Sequence, residues 1–359
     1  VSACRAEGIA GRVAGERAPP DREVALGRGE RLWLAARVAR PREIAYAHPC
    51  SRALRTDPRG AFAFDMTLFL RILAAFPLPV LHVLGWWLFV IAFYVVRWRV
   101  PLARGNLAAA FPDKPEEERE RILRDCYRNL GSSLLEAIWG YGANGEALKR
   151  RVRIVNPEVV DHCRAQNRSV IMLAGHLCNW EWLLLAAGAH LSIPIDVVYK
   201  PLRLAGVDAY VREARRRFGA NPIPHKNFLY EVMRRGDEAR AYALLADQTP
   251  LAKVPKHWIR FLNRDTAFFL GPERIARYLD ASVVYVAMKR VRRGYYDVHI
   301  DVIAEPPYDD DAGPAIAEAY ARHLEATILA SPADWLWIHN KWKYPKPAGA
   351  ARPRRRPRT

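Results

Sequence analysis

The sequence predicts an α/β fold preceded by a membrane-associated helical segment. Three short apolar runs, at residues 170–173, 195–199 and 241–245, alternate with stretches of helical periodicity. Short buried runs separated by helices are typical of a sheet that is covered by helices. Ahead of them, residues 72–96 contain no Asp, Glu, Lys or Arg. About 20 apolar residues are enough to cross a bilayer, so this segment is a candidate span.

The composition favours a polyanionic partner. The chain of 359 residues is 51% apolar and carries a formal net charge of +18, which is typical of proteins that meet nucleic acid, an anionic membrane surface or a phosphorylated substrate. The five cysteines form no C-x-x-C pair, which argues against a zinc ribbon, and their scattering suits a reducing compartment. They are Cys4, Cys50, Cys126, Cys163 and Cys178.

Both ends of the chain differ in composition from the middle. Residues 1–65 hold twelve arginines against eight acidic residues, and residues 341–359 hold eight Lys or Arg and no acid. We expect 1–65 to be a disordered or non-native extension, because the first methionine is Met66 and the apolar segment follows it directly. The tail at 346–359 is expected to be disordered, and its basic residues can contact anionic lipid headgroups.

Residues 67–98 are predicted to anchor the chain in a membrane. Arg97, Arg99 and Arg104 follow the apolar stretch, and the positive-inside tendency then places the domain at 99–345 in the cytoplasm. The alternative is a pair of core helices broken at the prolines near residue 77.

The stretch 170–187 is the centre of the predicted site. An apolar strand ends at Gly175, then His176 follows in a tight turn, and Glu181 lies in the first turn of the next helix. Histidine accepts protons near neutral pH, and a carboxylate beside it can hold its tautomer. Taken alone the spacing is common, and a turn histidine with a surface glutamate is the simpler interpretation.

Two further clusters of polar residues follow. A predicted helix at 205–218 bears Arg215, whose guanidinium suits phosphate, although arginines on a helix are more often a solvated face. Asp247 and Gln248 come directly after the run at 241–245. The carboxyl ends of parallel strands are where open α/β sheets place their sites. Asp247 is therefore a candidate to orient a substrate hydroxyl or an arginine, or it is simply a turn cap.

Five short blocks, together with Glu136, resemble the lipid A late (lauroyl/myristoyl) acyltransferases of Gram-negative bacteria. The residues that carry the resemblance occur in order along residues 67–345: Arg104–Pro112 (R-x-N-L-x-x-A-F-P), Glu136, Gly175–Glu181 (G-H-L-C-N-W-E), Arg215–Gly219, Asp247-Gln248 and Pro332–Lys343. The last block resembles P-x-x-x-x-W-x-H-x-R-x-K, with Asn340 and Lys341 in place of the more usual residues.

The resemblance implies a glycerolphosphate-acyltransferase-like α/β sandwich and a place at the inner membrane, with the catalytic domain on the cytoplasmic face. It implies acyl transfer from acyl carrier protein to a hydroxyl of a phosphorylated lipid A precursor, without a metal or redox cofactor. His176 and Glu181 would be the catalytic pair, with His176 as general base. Asn179, Arg215, Asp247 and Gln248 would bind substrate.

Three alternatives remain open at this point. Cys178 lies in the same turn as His176 and is a possible covalent nucleophile, although a buried structural cysteine is the simpler interpretation. The acceptor can be another glycolipid or lysolipid, with acyl-CoA as donor, because the catalytic pair would be shared. A basic membrane-associated nucleic-acid-binding protein is the more distant alternative. The terminal position of the basic residues argues against it, so no nucleic acid partner is predicted.

Overall fold

The computed structural model describes residues 66–235, 238–309 and 314–347. The proposed extension at 1–65 and nearly all of the basic tail at 346–359 therefore lie outside the described residues. The described part of the chain is a mixed α/β fold with a central, mostly parallel sheet.

Five helices of the described residues precede the sheet. These are α1 (Met66–Ala74), α2 (Leu78–Val90, continued by a π-helical turn at Ile91–Val95), α3 (Val100–Ala110), α4 (Glu116–Gly142) and α5 (Gly145–Lys149). The break between α1 and α2 falls at Pro77, because proline has no backbone N–H to donate and suits the first positions of a new helix. Three glutamates in the first turn of α4 face the positive end of its dipole.

The predicted strands and helices of the domain are present. In chain order the elements are β1 (Val152–Ile154), α6 (Glu158–Ala165), β2 (Val170–Ala174), α7 (Trp180–His190), β3 (Ile195–Tyr199), α8 (Ala205–Arg217), β4 (Ala220–Pro224), α9 (Phe228–Arg234), β5 (Ala241–Leu245), β6 (Lys256–Phe261), β7 (Arg264–Phe269), α10 (Gly271–Leu279), β8 (Ser282–Arg292), β9 (Tyr295–Ala304) and α11 (Ala315–Ala330).

The main sheet has the strand order β1-β9-β8-β2-β5-β3-β4, and its pairs are parallel except for the β8–β9 hairpin. The strands β6 and β7 form a separate antiparallel pair. Successive side chains of a strand point to opposite faces. Accordingly, Ile171 and Leu173 belong to one buried cluster and Val170 and Met172 to another. The sheet is thus a middle layer with a hydrophobic core on each face.

One helix in the described part, Leu78–Val95, is long and apolar enough to cross a membrane, judged by length and composition alone. The chain turns at 75–77, so the segment 67–98 that is predicted to anchor the chain contains the two helices α1 and α2. Large apolar side chains on both helices are exposed, among them Ile72, Trp87 and Val95.

Candidate functional site

The site lies where β2 and β5 end side by side. These strands are parallel neighbours, and Ala174 is in register with Leu245. His176 follows Ala174 by two residues, and Asp247 follows Leu245 by two residues. Equal offsets from paired positions bring the two side chains together, although 70 residues of chain separate them. The carboxyl edge of the sheet therefore assembles the site, as the predicted strands indicated.

Asp247 holds the ring and the backbone of His176. Its Oδ1 lies 2.6 Å from His176 Nδ1, and its Oδ2 accepts from the His176 backbone N–H at 2.9 Å and from Trp335 Nε1 at 3.0 Å. Burial alone would raise the pKa of Asp247, but the charge and hydrogen bonds of His176, with the Trp335 bond, hold it well below its usual range. Asp247 is therefore ionised and can only accept hydrogen bonds, so His176 Nδ1 must be the protonated donor in their hydrogen bond.

With Nδ1 protonated, the neutral imidazole of His176 presents Nε2 as an acceptor. The amide Nε2 of Gln248 lies 3.1 Å from this atom and donates to it. The side chain of His176 is 14% exposed, whereas Gln248 is exposed. Asp247 thus holds the ring at Nδ1, and Nε2 is accessible to a substrate hydroxyl that can displace the Gln248 amide. This geometry suits a general base.

Glu181 does not contact His176 in the way that the sequence suggested. Both of its carboxylate oxygens are hydrogen-bonded to Arg215, with Nε–Oε1 and Nη2–Oε2 distances of 2.8 Å each. Burial lowers the pKa of Arg215, but the charge and hydrogen bonds of Glu181 outweigh it and raise that pKa above the ordinary value. The reason for the different pairing is positional. Glu181 is on α7 and meets α8, whereas His176 precedes α7 and meets the end of β5.

Asn179 serves the backbone and a second buried carboxylate. Its Oδ1 accepts from the Trp182 N–H at 3.0 Å and so caps α7, while its Nδ2 donates to Glu136 Oε2 at 3.1 Å. Asn179 is almost fully buried. Both ends of its amide are therefore occupied within the protein, which favours a structural role in the turn over direct contact with substrate.

Cys178 is buried behind the turn. Its Sγ donates to the Met288 carbonyl oxygen at 3.3 Å, and burial raises the pKa of the thiol well above its ordinary value. A thiolate is the form that attacks carbonyl carbon, and burial disfavours it. These observations argue against Cys178 as a nucleophile.

The carboxyl-terminal block closes over the site and supplies residues that the sequence left without a role. The Lys341 ammonium is buried and donates to the carbonyl oxygens of Gln248 at 3.2 Å and Ala267 at 3.1 Å. Burial lowers the pKa of Lys341 to about 7. His339 Nε2 accepts from the Thr249 N–H at 3.2 Å. The matching block at 332–343 was the available signal, but its spacing alone did not indicate which strand end it would meet.

The structure thus sorts the six candidate residues into three groups. His176, Asp247 and Gln248 lie together at the strand ends. Glu181 and Arg215 form a separate buried ion pair, and Asn179 joins the turn to Glu136. Asp247 was expected to contact substrate, but its two oxygens are occupied by His176 and Trp335.

Fold and site together define an α/β protein that presents a carboxylate-held histidine at the ends of its central strands. A family model described as bacterial lipid A biosynthesis acyltransferase matches residues 52–344, most of the chain. The chain therefore belongs to the bacterial lipid A biosynthesis acyltransferase family, and it is an acyltransferase.

Curated relatives agree with this assignment. The chain is 30% identical over 288 residues to a lipid A biosynthesis acyltransferase of Haemophilus influenzae, which covers 76% of this chain and 87% of the relative. It is 23% identical over 271 residues to the lipid A biosynthesis lauroyltransferase of Escherichia coli, with 74% and 86% covered. The lipid A biosynthesis palmitoleoyltransferase of Escherichia coli is 24% identical over 273 residues, with 74% and 86% covered.

Proposed function

We propose that the protein transfers a fatty acyl chain from acyl carrier protein to a hydroxyl of a phosphorylated lipid A precursor, with His176 as general base. The observation that carries this proposal is the bond from His176 Nδ1 to the buried Asp247 carboxylate, which leaves Nε2 as the accessible acceptor. The names of the relatives support a lipid A-type acceptor. The acyl carrier protein donor and the phosphorylated acceptor follow from the family resemblance.

The proposed reaction is a direct acyl transfer. The acceptor hydroxyl displaces the Gln248 amide and gives its proton to His176 Nε2, and its oxygen attacks the thioester carbonyl carbon. The negative charge on the carbonyl oxygen of the tetrahedral intermediate needs a donor, and the Gln248 amide, which lies 3.1 Å from His176 Nε2 before it is displaced, is our proposed donor. The intermediate then expels the thiolate, and the proton on Nε2 passes to that sulfur. Asp247 stabilises the imidazolium between these two steps.

Glu181 enters this mechanism through Arg215 rather than through His176. The bidentate pair fixes the guanidinium plane, and Arg215 remains our proposed contact for an anionic group of the substrate. The role of Glu181 is therefore to orient Arg215.

We further propose that the fold is of the glycerolphosphate-acyltransferase type and that the protein is anchored in the inner membrane with its catalytic domain on the cytoplasmic face. The exposed apolar side chains of α1 and α2 support membrane association, because exposed apolar surface of this extent marks an interaction site. The arginines that follow α2, including Arg97 and Arg99, support the cytoplasmic orientation.

The test is acyl transfer in membranes that contain the protein, with lauroyl- and myristoyl-acyl carrier protein as donors and the phosphorylated lipid A precursor as acceptor. The wild type is compared with His176→Gln at equal amounts of folded protein. We expect transfer by the wild type and its loss in the variant. Undiminished transfer by His176→Gln would refute the general base. Failure of the wild type with both donors would refute the proposed substrates, and acyl-CoA and other glycolipids would then be the next reagents.

A further inference from the structure

The apolar helix α2 is in direct backbone contact with α4. A Cβ atom placed on Gly85 would lie 2.9 Å from the Gly131 carbonyl oxygen, which is closer than real Cβ atoms approach oxygen. The converse substitution at Gly131 would meet the Gly85 carbonyl oxygen. Small residues at a helix crossing permit this approach and fix the position of one helix on the other. The position of α2 is therefore tied to the catalytic domain.

One turn before this crossing, α2 carries a histidine that is bonded into the domain. His82 Nε2 lies 2.9 Å from Glu136 Oε1, and the two side chains are 15% and 0% exposed. Glu136 lies on α4, five residues after Gly131. A fully buried carboxylate is costly unless donors surround it, so a donor from α2 is a substantial part of its environment.

Glu136 also holds the residues that follow the catalytic turn. Its Oε2 accepts from Asn179 Nδ2 at 3.1 Å and from the Tyr296 hydroxyl at 2.6 Å, and its main-chain oxygen accepts from Trp182 Nε1 at 2.6 Å. Burial raises the pKa of Glu136, but the bonds from His82 and Tyr296 outweigh this and lower it below the ordinary value. Glu136 is therefore a charged centre that joins α2, β9 and the start of α7.

The turn that presents His176 needs such support. Cys178 has a φ of 51°, in the left-handed region that a non-glycine residue adopts at a cost. Two hydrogen bonds hold the chain here. The Cys178 N–H donates to the Asp334 carbonyl oxygen at 2.9 Å, and the side chain of the next residue, Asn179, donates to Glu136. Loss of the hydrogen bond between Asn179 and Glu136 would allow the turn to relax and His176 to move.

We propose that His82 and Glu136 are positioning residues for catalysis, through which the apolar helix α2 holds the catalytic turn. The helix is then a part of the active-site scaffold in addition to any role as membrane anchor. The proposal rests on the proposed role of His176. Neither residue touches the reacting atoms, and both act through Asn179.

The experiment compares steady-state kinetics of His82→Leu, His82→Gln and Tyr296→Phe in the full chain in membranes. The control is His190→Gln, because His190 is an exposed histidine that is bonded to the Val152 carbonyl oxygen and lies at the opposite end of α7 from Asn179. We expect His82→Leu and Tyr296→Phe to lower kcat per folded protein by about 10- to 100-fold, since a small displacement of a catalytic group costs this much. KM should stay within about threefold, because no substrate contact is removed.

The conservative variant separates positioning from bulk stability. Glutamine at 82 can still donate to Glu136, so His82→Gln should recover most of the kcat that His82→Leu loses, and His190→Gln should match the wild type. A second variant, Asn179→Ala, is combined with His82→Leu. If His82 acts through Glu136 and Asn179, the kcat of the double variant should be little lower than the kcat of Asn179→Ala alone.

Two results would overturn the proposal. One is a wild-type kcat per folded protein in His82→Leu, whether or not its melting temperature is lower. The other is a fully additive loss of kcat in the double variant. If His82→Leu does not fold, Tyr296→Phe tests the same carboxylate through a different donor, and a wild-type kcat there is equally damaging. His176→Gln is measured in parallel. If it retains activity, the proposed function fails, whereas its loss beside a normal His82→Leu refutes only the positioning role.

Discussion

Asp247→Asn tests the pairing at the centre of the proposed mechanism. The asparagine has nearly the same shape, and its Oδ1 can still accept from the His176 backbone or from Trp335. Its amide group can donate to His176 Nδ1, which favours the tautomer that carries the proton on Nε2. The ring then presents a donor to the acceptor hydroxyl and cannot act as a base. It also lacks the carboxylate that stabilises the imidazolium.

The expected loss follows from these two effects. General-base assistance is generally worth about 10²–10⁴-fold, which corresponds to about 3–5 kcal/mol of transition-state stabilisation. An aspartate-to-asparagine change behind a catalytic histidine reaches the upper end of this range when it selects the wrong tautomer. We therefore expect kcat to fall by about 10³–10⁴-fold, with KM for the acyl donor little changed.

The assay is transfer from the active acyl carrier protein donor, with folding checked by circular dichroism and thermal unfolding. The matched comparison is Glu181→Gln, which also turns a buried carboxylate into an amide but leaves the bond between His176 and Asp247 intact. Its kcat per folded protein should fall less than that of Asp247→Asn. The proposed role of Asp247 is refuted if Asp247→Asn keeps more than about a tenth of the wild-type kcat, or if Glu181→Gln has the larger loss.

Three further predictions follow from the same geometry. Glu181→Gln should lower the free energy of unfolding by about 3–5 kcal/mol, because it leaves a buried guanidinium without its counter-charge; a denaturant titration checks this, and a change below about 1 kcal/mol would contradict it. Cys178→Ala should retain transfer within a few-fold in the same assay, and a loss as large as that of His176→Gln would restore the thiol as nucleophile. Lys341→Met should alter the pH dependence of stability. The pKa of Lys341 is about 7 in the folded protein, which is below its value in the unfolded chain, so above pH 7 the unfolded state binds more protons than the folded state. The unfolding free energy of the wild type relative to this variant should therefore rise from pH 7 to 9, by up to about 1.4 kcal/mol per pH unit, and a constant difference would show that Lys341 does not titrate there.

Local patterns in the sequence predicted much of the fold. The apolar runs that end at 173, 199 and 245 are strands, and the helix predicted at 205–218 spans Ala205–Arg217. Both depend on side-chain periodicity and capping, which act over a few residues. The short strands Val152–Ile154 and Ala220–Pro224 were not anticipated, because polar residues and prolines interrupt their apolar pattern and they lie at the edges of the sheet.

The candidate site was only partly predictable, because local patterns act over a few residues and the site joins residues that are far apart in the sequence. The sequence by itself determined that His176 follows a buried strand in a turn and that Asp247 follows another. It also placed Glu181 near His176, because five residues of separation suggest proximity. Nearness along the chain does not determine direction, however. Glu181 lies on a helical face directed at α8 and is used by Arg215.

Only the tertiary structure decided which carboxylate holds the imidazole. That choice depends on the pairing of β2 with β5 and on its register, which sets Ala174 beside Leu245 and so brings Asp247 to His176 across 71 positions of sequence. The same holds for Glu136, which joins α2 to the catalytic turn through contacts that no local spacing encodes. Strand register and helix crossing are properties of the whole packed chain, because they are set by the burial of many side chains at once.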